Sequence, residues 1–530
     1  MYQGSFITRD CANPSPNQSP KKSAIVRNPA YTVDKSTKTA TRTETMTPTE
    51  CSQQSFEFQA LGRRNVIANF DGGHLSSDGG GALILREIEN RTGLLKKLAA
   101  CFDDRRNQEL IEHSVAHLLA QRINGLVLGY EDLNDHDNLR RDPGHALAAN
   151  KQDLLGQHRR EERDRGKALA GASTLNRLEL AAEEPDSRYR KIVADPDAIE
   201  DLLIVQGVKA IPRRSREIIL DFDATDDPLH GNQEGRYFQG YYRHYCYLPL
   251  YCFCGNIPLV AKLRDCKRDG CDGTVEALRK IVPVIRRRFG KKVRIILRGD
   301  GGFGRDAIMD WCENNQVFYC LGLAKNKRLL KTIAPKLGKL HHQQARGEVA
   351  PPVRCFTEFK YETRKTWSRK RRVIAKIELL EKGANPRFIV TNLPACGFDD
   401  TADFADRYRA RELYEKLYCA RGDMENRIKE QQMDLFADRT STHWMASNQL
   451  RLWFSAIAHL IMHTLKASVL KGTDLARASI GTIRLKLFKI AVRIKVSVRR
   501  VLVECCSSYP LKELFAKVHE SLGKFSPETV

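Results

Sequence analysis

The stretch EIILDFDAT, Glu217–Thr225, is an apolar run with the character of a strand, and it ends at Asp223 and a turn. A second run of the same kind, VRIIL from Val293 to Leu297, leads through Arg298 and Gly299 to Asp300 and the turn Gly301–Gly302. Carboxylates at strand ends sit at a sheet rim, where ligands bind in open α/β sheets. Alone, each aspartate would read as a turn former or a helix cap. Working outward, the pattern from Ile218 to Leu323 is α/β. Strands are expected at Ile218–Asp223, Tyr241–Leu250, Ile257–Leu263, Val293–Leu297 and Val317–Leu321, and helices at Val275–Phe289 and Arg305–Asn314.

A third carboxylate comes from YCARGDMENRIKEQQ, Tyr418–Gln432. At roughly 100° per residue, Tyr418, Arg421 and Glu425 fall within about 60° of one another on a helix, and Lys429 and Gln432 extend the stripe. A solvated face with ordinary ion pairs would look the same. The chemistry of the set is nevertheless specific. A carboxylate holds a divalent cation, an arginine clamps a phosphate, and a tyrosine adds a hydrogen bond. Two aspartates and a glutamate suit two Mg²⁺ ions about 3.5–4 Å apart, the arrangement of in-line phosphoryl transfer.

The order DAT (Asp223–Thr225), RGDGGF (Arg298–Phe303) and Tyr-x-x-Arg-x-x-x-Glu (Tyr418, Arg421, Glu425) resembles the DDE transposases of bacterial insertion sequences, and more narrowly their IS-thirteen-eighty-type branch. FDGGHLSSDGG (Phe70–Gly80), GYEDLNDHDNLRRDP (Gly129–Pro143), STLNRLE (Ser173–Glu179) and NQLRL (Asn448–Leu452) share the likeness, which spans Asn69 to Leu522. The resemblance implies a ribonuclease-H-like core, with Asp223 and Asp300 on neighbouring strands, a β-rich insertion and a helical N-terminal region. It also implies metal-dependent cleavage at insertion-sequence ends and strand transfer into target DNA. Asp223, Asp300 and Glu425 would be the catalytic and metal-binding residues, for Mg²⁺ or Mn²⁺. Tyr418, Arg421, Lys429, Arg298 and Lys325 would bind DNA phosphate. Partners would be double-stranded DNA, as terminal inverted repeats and as target, and a second copy of the chain assembled on it. Asp221 is the rival to Asp223, with Asp226 and Asp227 behind it. The family's signature continues to a lysine at the position of Gln432, and Lys429 is the candidate to replace it. Two other readings share these features: a DNA-binding remnant acting as a repressor, and a nuclease that cuts without joining.

A net charge of +23 on 530 residues calls for a polyanionic partner. No stretch approaches the ~20 apolar residues of a membrane span and no apolar signal core opens the chain, so a cytoplasmic, nucleoid-associated bacterial protein is expected. The chain has 15 cysteines, without paired CxxC motifs of zinc-finger spacing. Reduced buried thiols are the expectation, ahead of a zinc cluster of Cys246, Cys252, Cys266 and Cys271. His341 and His342 read as surface.

The expected organisation has five parts. Residues 1–60 form a disordered Ser/Thr/Pro/Lys-rich segment. Residues 61–185 form a helical region that in the resemblance recognises DNA ends, with Arg140, Arg141 and Arg177 as candidate phosphate contacts and a charged stretch at Lys151–Lys167 that reads as a loop or an exposed helix. Residues 213–324 and 405–466 form the catalytic core, closing with a buried helix at Ser447–Leu465. Between them lies the basic insertion 325–404, with strands at Arg372–Leu379 and Arg387–Thr391, a cationic run at Arg369–Arg372, and Tyr361 and Trp367 beside it. Trp367 is the candidate to stack on an unpaired base. Residues 467–530 complete the chain. There Ile483–Val503 alternates as a half-buried strand pair whose basic side holds Arg484, Lys486, Arg493 and Lys495, before a last helix at Leu511–Leu522.

Overall fold

The structure is a computed structural model that describes residues 55–61, 63–69, 72–180, 191–395 and 406–526. The expectation of disorder for residues 1–60 lies outside them as far as residue 54, and it is corrected beyond that, where Ser55–Leu61 is a strand. Of the unit ending at Asp71, the described part is an antiparallel hairpin, Ser55–Leu61 with Arg64–Asn69. Gly72–Val530 pack as one compact unit.

That unit opens with helices α1 (Gly79–Thr92), α2 (Val115–Leu128) and α3 (Pro196–Ala210). Helix α2 begins where the Ser114 side chain accepts from the His117 amide, and α3 where Asp195 accepts from the Ala198 amide ahead of Pro196. The sequence reading missed α3 although this Asp-Pro start marked it. Lys151–Lys167 is a turn-rich loop with a single short 3₁₀ turn, Glu162–Asp164.

A nine-stranded mixed sheet follows: β1 (Glu217–Ala224), β2 (Leu250–Cys254), β3 (Ile257–Lys262), β4 (Arg294–Gly299), β5 (Phe318–Leu323), β6 (Val353–Tyr361), β7 (Arg371–Leu380), β8 (Gly383–Ala384) and β9 (Arg387–Thr391). Its order is β3-β2-β1-β4-β5-β9-β7-β6, with β8 on β7. Strands β1, β4 and β5 are parallel neighbours, while β2 and β3 run antiparallel on one side and β9, β7 and β6 on the other. Helices α4 (Thr274–Phe289) and α5 (Asp306–Asn314) make the crossovers that the parallel strands require. Helix α6 (Lys327–Ala345), capped by Asn326, precedes β6. Residues 325–395 therefore continue the same sheet.

The sheet's two faces bury different partners, as period-two alternation requires. Ile218, Leu220, Phe222, Ile295, Leu297 and Tyr319 enter the main core with α2, α3 and α8 (Met445–Thr464). On the opposite face, Ile296, Cys320, Ile374 and Ile389 meet Tyr408, Leu413, Tyr414 and Leu417, with Ile219 at the edge. The chain carrying the signature tyrosine, arginine and glutamate thus lies across the face that also holds Asp221 and Asp223.

Several expectations are corrected. Tyr241–Leu250 is not one strand: Tyr237–Gln239 and His244–Tyr247 form a hairpin around Gly240, with Arg243 at φ 62°, and Pro249 separates it from β2. Ile483–Val503 is helical up to Phe488, since Ile483, Leu487 and Phe488 are buried at helical spacing. The strands there are Val492–Val496 and Val501–Cys505. Arg484 leaves the expected basic side to donate to the carbonyls of Val127, Leu126 and Asp434. In the cationic run, Arg369 and Arg371 pair with Asp310, Asp306 and Glu313, and Arg372 pairs with Glu358; Arg371 and Arg372 are buried by this, whereas Arg369 and Lys370 stay exposed. Trp367 packs edge-on against buried Tyr361 with ring centroids 5.6 Å apart, and the Arg371 guanidinium lies 5.6 Å from its ring centroid. The Trp367 side chain stays partly exposed.

Among the described residues the cysteines are free thiols, and no group of three or more His, Cys, Asp or Glu side chains is placed to hold a metal ion. Cys246 and Cys266 share a small apolar cluster with Leu248, while Cys252 and Cys271 belong to the main core, so the four are not a zinc cluster. His341 and His342 are exposed. No described helix is long and apolar enough to cross a membrane.

Candidate active site

Strand β1 carries a row of carboxylates on one face, Glu217, Asp221 and Asp223, each facing a cation. Glu217 meets Arg407 at 2.5 Å and accepts from the Tyr408 hydroxyl at 2.8 Å. Asp221 is gripped through both oxygens by Arg298 from β4, whose remaining nitrogen donates to the Leu417 carbonyl at 2.6 Å. Both side chains are buried. Arg298 is therefore a strut between β1 and the signature segment and not a phosphate contact, and Asp221 is spent on it as well. Asp223, at the open end of the row, has the loosest pairing, 3.4 Å to Arg421.

Arg421 is the hinge of the arrangement. One Nη reaches Asp223 and the other donates to Glu425 at 2.8 Å, so a single guanidinium links β1 to the glutamate. Burial, then the negative charges of Asp300 and Glu425, push the Asp223 carboxyl up to about 6 against the pull of Arg421. The excess negative charge of three carboxylates around one arginine is the electrostatic signature of this rim.

Asp300 leaves the end of β4 in a tight turn, with its Oδ1 accepting from the Gly302 amide at 2.8 Å. Buried Phe303 plugs the turn against Phe222, ring centroids 6.3 Å apart, and occupies the space a side chain at Gly299 would need. A Cβ at Gly322 would stand 2.6 Å from both the Gly301 nitrogen and the Tyr418 hydroxyl, and 2.9 Å from the Asp300 carbonyl carbon. Gly322 thereby lets the tyrosine close over the Asp300 turn. Sequence reasoning passed over Phe303 and Gly322, although RGDGGF itself contains the phenylalanine.

The signature segment is not one regular helix. Leu413–Tyr418 is a π-helical turn, Cys419–Arg421 is 3₁₀, and the α-helix α7 runs from Gly422 to Leu435. Such wide turns inside helices often re-aim functional side chains. Here the change of pitch lets Tyr418 point to the Asp300 turn while Arg421 and Glu425 still meet at i, i+4 spacing. Glu425 is the open member, its side chain 59% exposed. Further along α7, Gln432 donates to the Asp226 carbonyl at 3.5 Å. Lys429 is exposed and borders a separate groove with Met433, Asp434, Arg477 and Ser479. Lys325 is exposed just beyond β5, next to Ala324, which faces Gly301.

The remaining rivals fall away. Asp226 pairs with His244 at 2.8 Å. Asp227 is sealed, and burial followed by the nearby Asp438 raises its carboxyl well above the usual range, so it is held neutral. In the N-terminal region Arg140 pairs with Asp164 at 3.1 Å, while Arg141 and Arg177 are exposed.

Asp223, Asp300 and Glu425 offer only oxygen donors, the set that hard cations such as Mg²⁺ and Mn²⁺ prefer. Their mutual repulsion, visible in the raised Asp223, is what a divalent cation relieves. As the side chains stand, the three are not gathered around one cation position, and Arg421 provides the positive charge between Asp223 and Glu425.

None of the curated proteins matches this chain. Among solved structures, a cryo-electron microscopy structure of the piggyBac transposase synaptic complex with hairpin DNA is similar with a TM-score of 0.38 and 11% sequence identity, covering 85% of this chain and 86% of that one. Residues 58–527 match the family described as transposase DDE domain, group 1. That span takes in β1, β4 and α7 together, and the chain belongs to this DDE transposase family.

Proposed function

We propose that the chain is a DDE transposase of the IS-thirteen-eighty-type branch that cleaves DNA at the ends of its own element and transfers the strand into target DNA. The observation that carries this reading is the Arg421 bridge between Asp223 and Glu425 beside the Asp300 turn. It draws one residue from each signature block into a single rim. The order β3-β2-β1-β4-β5, with β1 and β4 parallel, Asp223 near the end of β1 and Asp300 just past the end of β4, supports a ribonuclease-H-like core.

In this reading Asp223, Asp300 and Glu425 hold Mg²⁺, or Mn²⁺ in its place, which when bound supplies Lewis-acid activation of the attacking oxygen and stabilises the leaving one. Arg421 exchanges its carboxylate contacts for the non-bridging oxygens of the scissile phosphate, a pairing that suits its planar fork. The Tyr418 hydroxyl, held over Gly322, donates to the same phosphate. Lys325 and Lys429 contact flanking phosphates, and the exposed lysines of α6, Lys327, Lys331 and Lys339, extend the cationic surface. Pairing of two element ends calls for two copies of the chain on DNA.

Incubating the protein with end-bearing DNA and Mg²⁺ tests the reading. Cleaved ends and joined products are expected. Intact DNA despite tight binding would favour a DNA-binding remnant, the reading that Gln432 on the Asp226 carbonyl supports. Cleavage without joined products would favour a nuclease.

A further inference from the structure

The segment between β1 and β2 places an aromatic surface beside the carboxylates, and the function proposed above makes no use of it. The hairpin Tyr237–Gln239 and His244–Tyr247 grows from the rim that bears Asp223, because Asp227 pairs with Tyr247 at its base while Tyr251 of β2 lies opposite Asp223. Large rings stand in solvent along it: Tyr241 is 85% exposed, Phe238 58% and Tyr245 42%.

These rings are ordered. Phe238 meets Tyr245 edge-on at 5.6 Å, and Tyr241 meets Tyr242 edge-on at 4.9 Å. Arg236 lies 4.1 Å over Tyr245 and Lys267 lies 3.6 Å over Tyr237. The Gln239 side chain ties the hairpin to the Cys266 carbonyl at 2.9 Å, and the Tyr247 hydroxyl ties it to the Glu234 carbonyl at 2.5 Å. The Tyr242 hydroxyl is raised to about 12 by burial and then by Asp226, with Tyr241 and Asp223 adding to it, which puts this ring within electrostatic reach of the candidate site.

Exposed rings in one small area, interleaved with Arg236, Arg243 and Lys267, fit a ligand that is flat, apolar on its faces and anionic along its edge. Bases on a phosphate backbone have that form. Within a duplex the base faces are covered by stacking, so only unpaired or extruded bases can meet the rings. We propose that the 237–245 hairpin is a stacking platform for unpaired nucleotides next to the scissile phosphate, with Tyr241 and Phe238 as the stacking rings and Arg243 and Lys267 as backbone contacts. The placement next to the scissile phosphate rests on the transposase reading, whereas the binding of unpaired nucleotides does not.

The test uses the full chain in EDTA, which separates binding from catalysis. Fluorescence anisotropy would compare a labelled oligothymidylate of about 12 nucleotides, a length within the range of known single-strand sites, with a blunt duplex of the same length. Tyr241→Ala and Phe238→Ala are each expected to weaken single-strand binding about tenfold and to leave duplex binding nearly unchanged, while Tyr241→Trp keeps wild-type affinity. Both rings project into solvent, so folding is preserved, and circular dichroism checks it. Unchanged single-strand affinity in both alanine variants would overturn the proposal, as would an equal loss for duplex and single strand. So would unchanged affinity with a loss of self-association, which would make the rings a protein interface. Wild-type protein that binds single strands through these rings but never cleaves would defeat the transposase reading and leave the platform standing.

Discussion

Two carboxylate–arginine clusters in this molecule have opposite electrostatics. Glu179, from STLNRLE, accepts from Arg122 and from Arg451 of NQLRL, each at 2.6 Å, and its side chain is fully buried. Burial would raise its carboxyl, but the two arginines outweigh burial and hold it below the usual range. Asp223 has one arginine shared with Glu425 and a second carboxylate nearby, and its carboxyl rises. The first cluster is closed, with cations in excess. The second is open, with anions in excess, and that excess is what suits it to a divalent metal and a phosphate. Motifs of equal prominence in the sequence thus divide into those that fasten helices together and those that face a ligand.

Breaking the closed cluster should give the largest effect. Glu179→Ala leaves the buried Arg122 and the half-buried Arg451 without their carboxylate and is expected to cost about 3–5 kcal/mol, read as a lower urea midpoint at unchanged slope. Glu425→Ala, at the open cluster, should change stability by no more than about 0.5 kcal/mol. Equal losses at the two sites would void the contrast.

Asp223→Asn sharpens it from the other side. With its carboxyl raised to about 6, folded protein binds a proton in a pH range where the unfolded chain has released it. The contribution of Asp223 to stability in chelator, read as wild type minus the asparagine variant, should therefore fall as pH rises from about 4 through about 6. The loss should be complete above that window and reach roughly 3 kcal/mol at most. The asparagine variant lacks this titration and should be more stable at neutral pH. A wild-type-minus-variant difference that rises over the same window would contradict the assignment.

Smaller changes are expected at the supports. Gly322→Ala forces backbone and Tyr418 apart and should cost about 1–3 kcal/mol, read by thermal unfolding, together with reduced cleavage. Gln432→Lys, which puts a cation beside the Asp226 carbonyl, should leave stability within about 0.5 kcal/mol. It should steepen the salt dependence of DNA binding by about one counterion.

How much of this was legible depended on whether the signal was local. The strand ends at Asp223 and Asp300 were, because an apolar run and a following turn are written in consecutive residues. So were Arg387–Thr391 and Thr274–Phe289, which the sequence reading placed within a residue. The role of Arg298 was not, since its pairing with Asp221 depends on the register between β1 and β4. Tyr241 shows the same limit: it read as the start of a strand, and only the hairpin around Gly240 leaves its ring in solvent. The helical stretch Ile480–Phe488 misled because its basic residues alternate with apolar ones, while the buried positions follow a helical period.

The most direct test of the central claim is single-turnover cleavage of end-bearing DNA in Mg²⁺ by wild type and by Asp223→Ala, Asp300→Ala and Glu425→Ala, with DNA affinity measured in parallel in EDTA. The account predicts that each substitution abolishes cleavage while affinity and folding persist. Cleavage that survives the loss of any one of these carboxylates would contradict it.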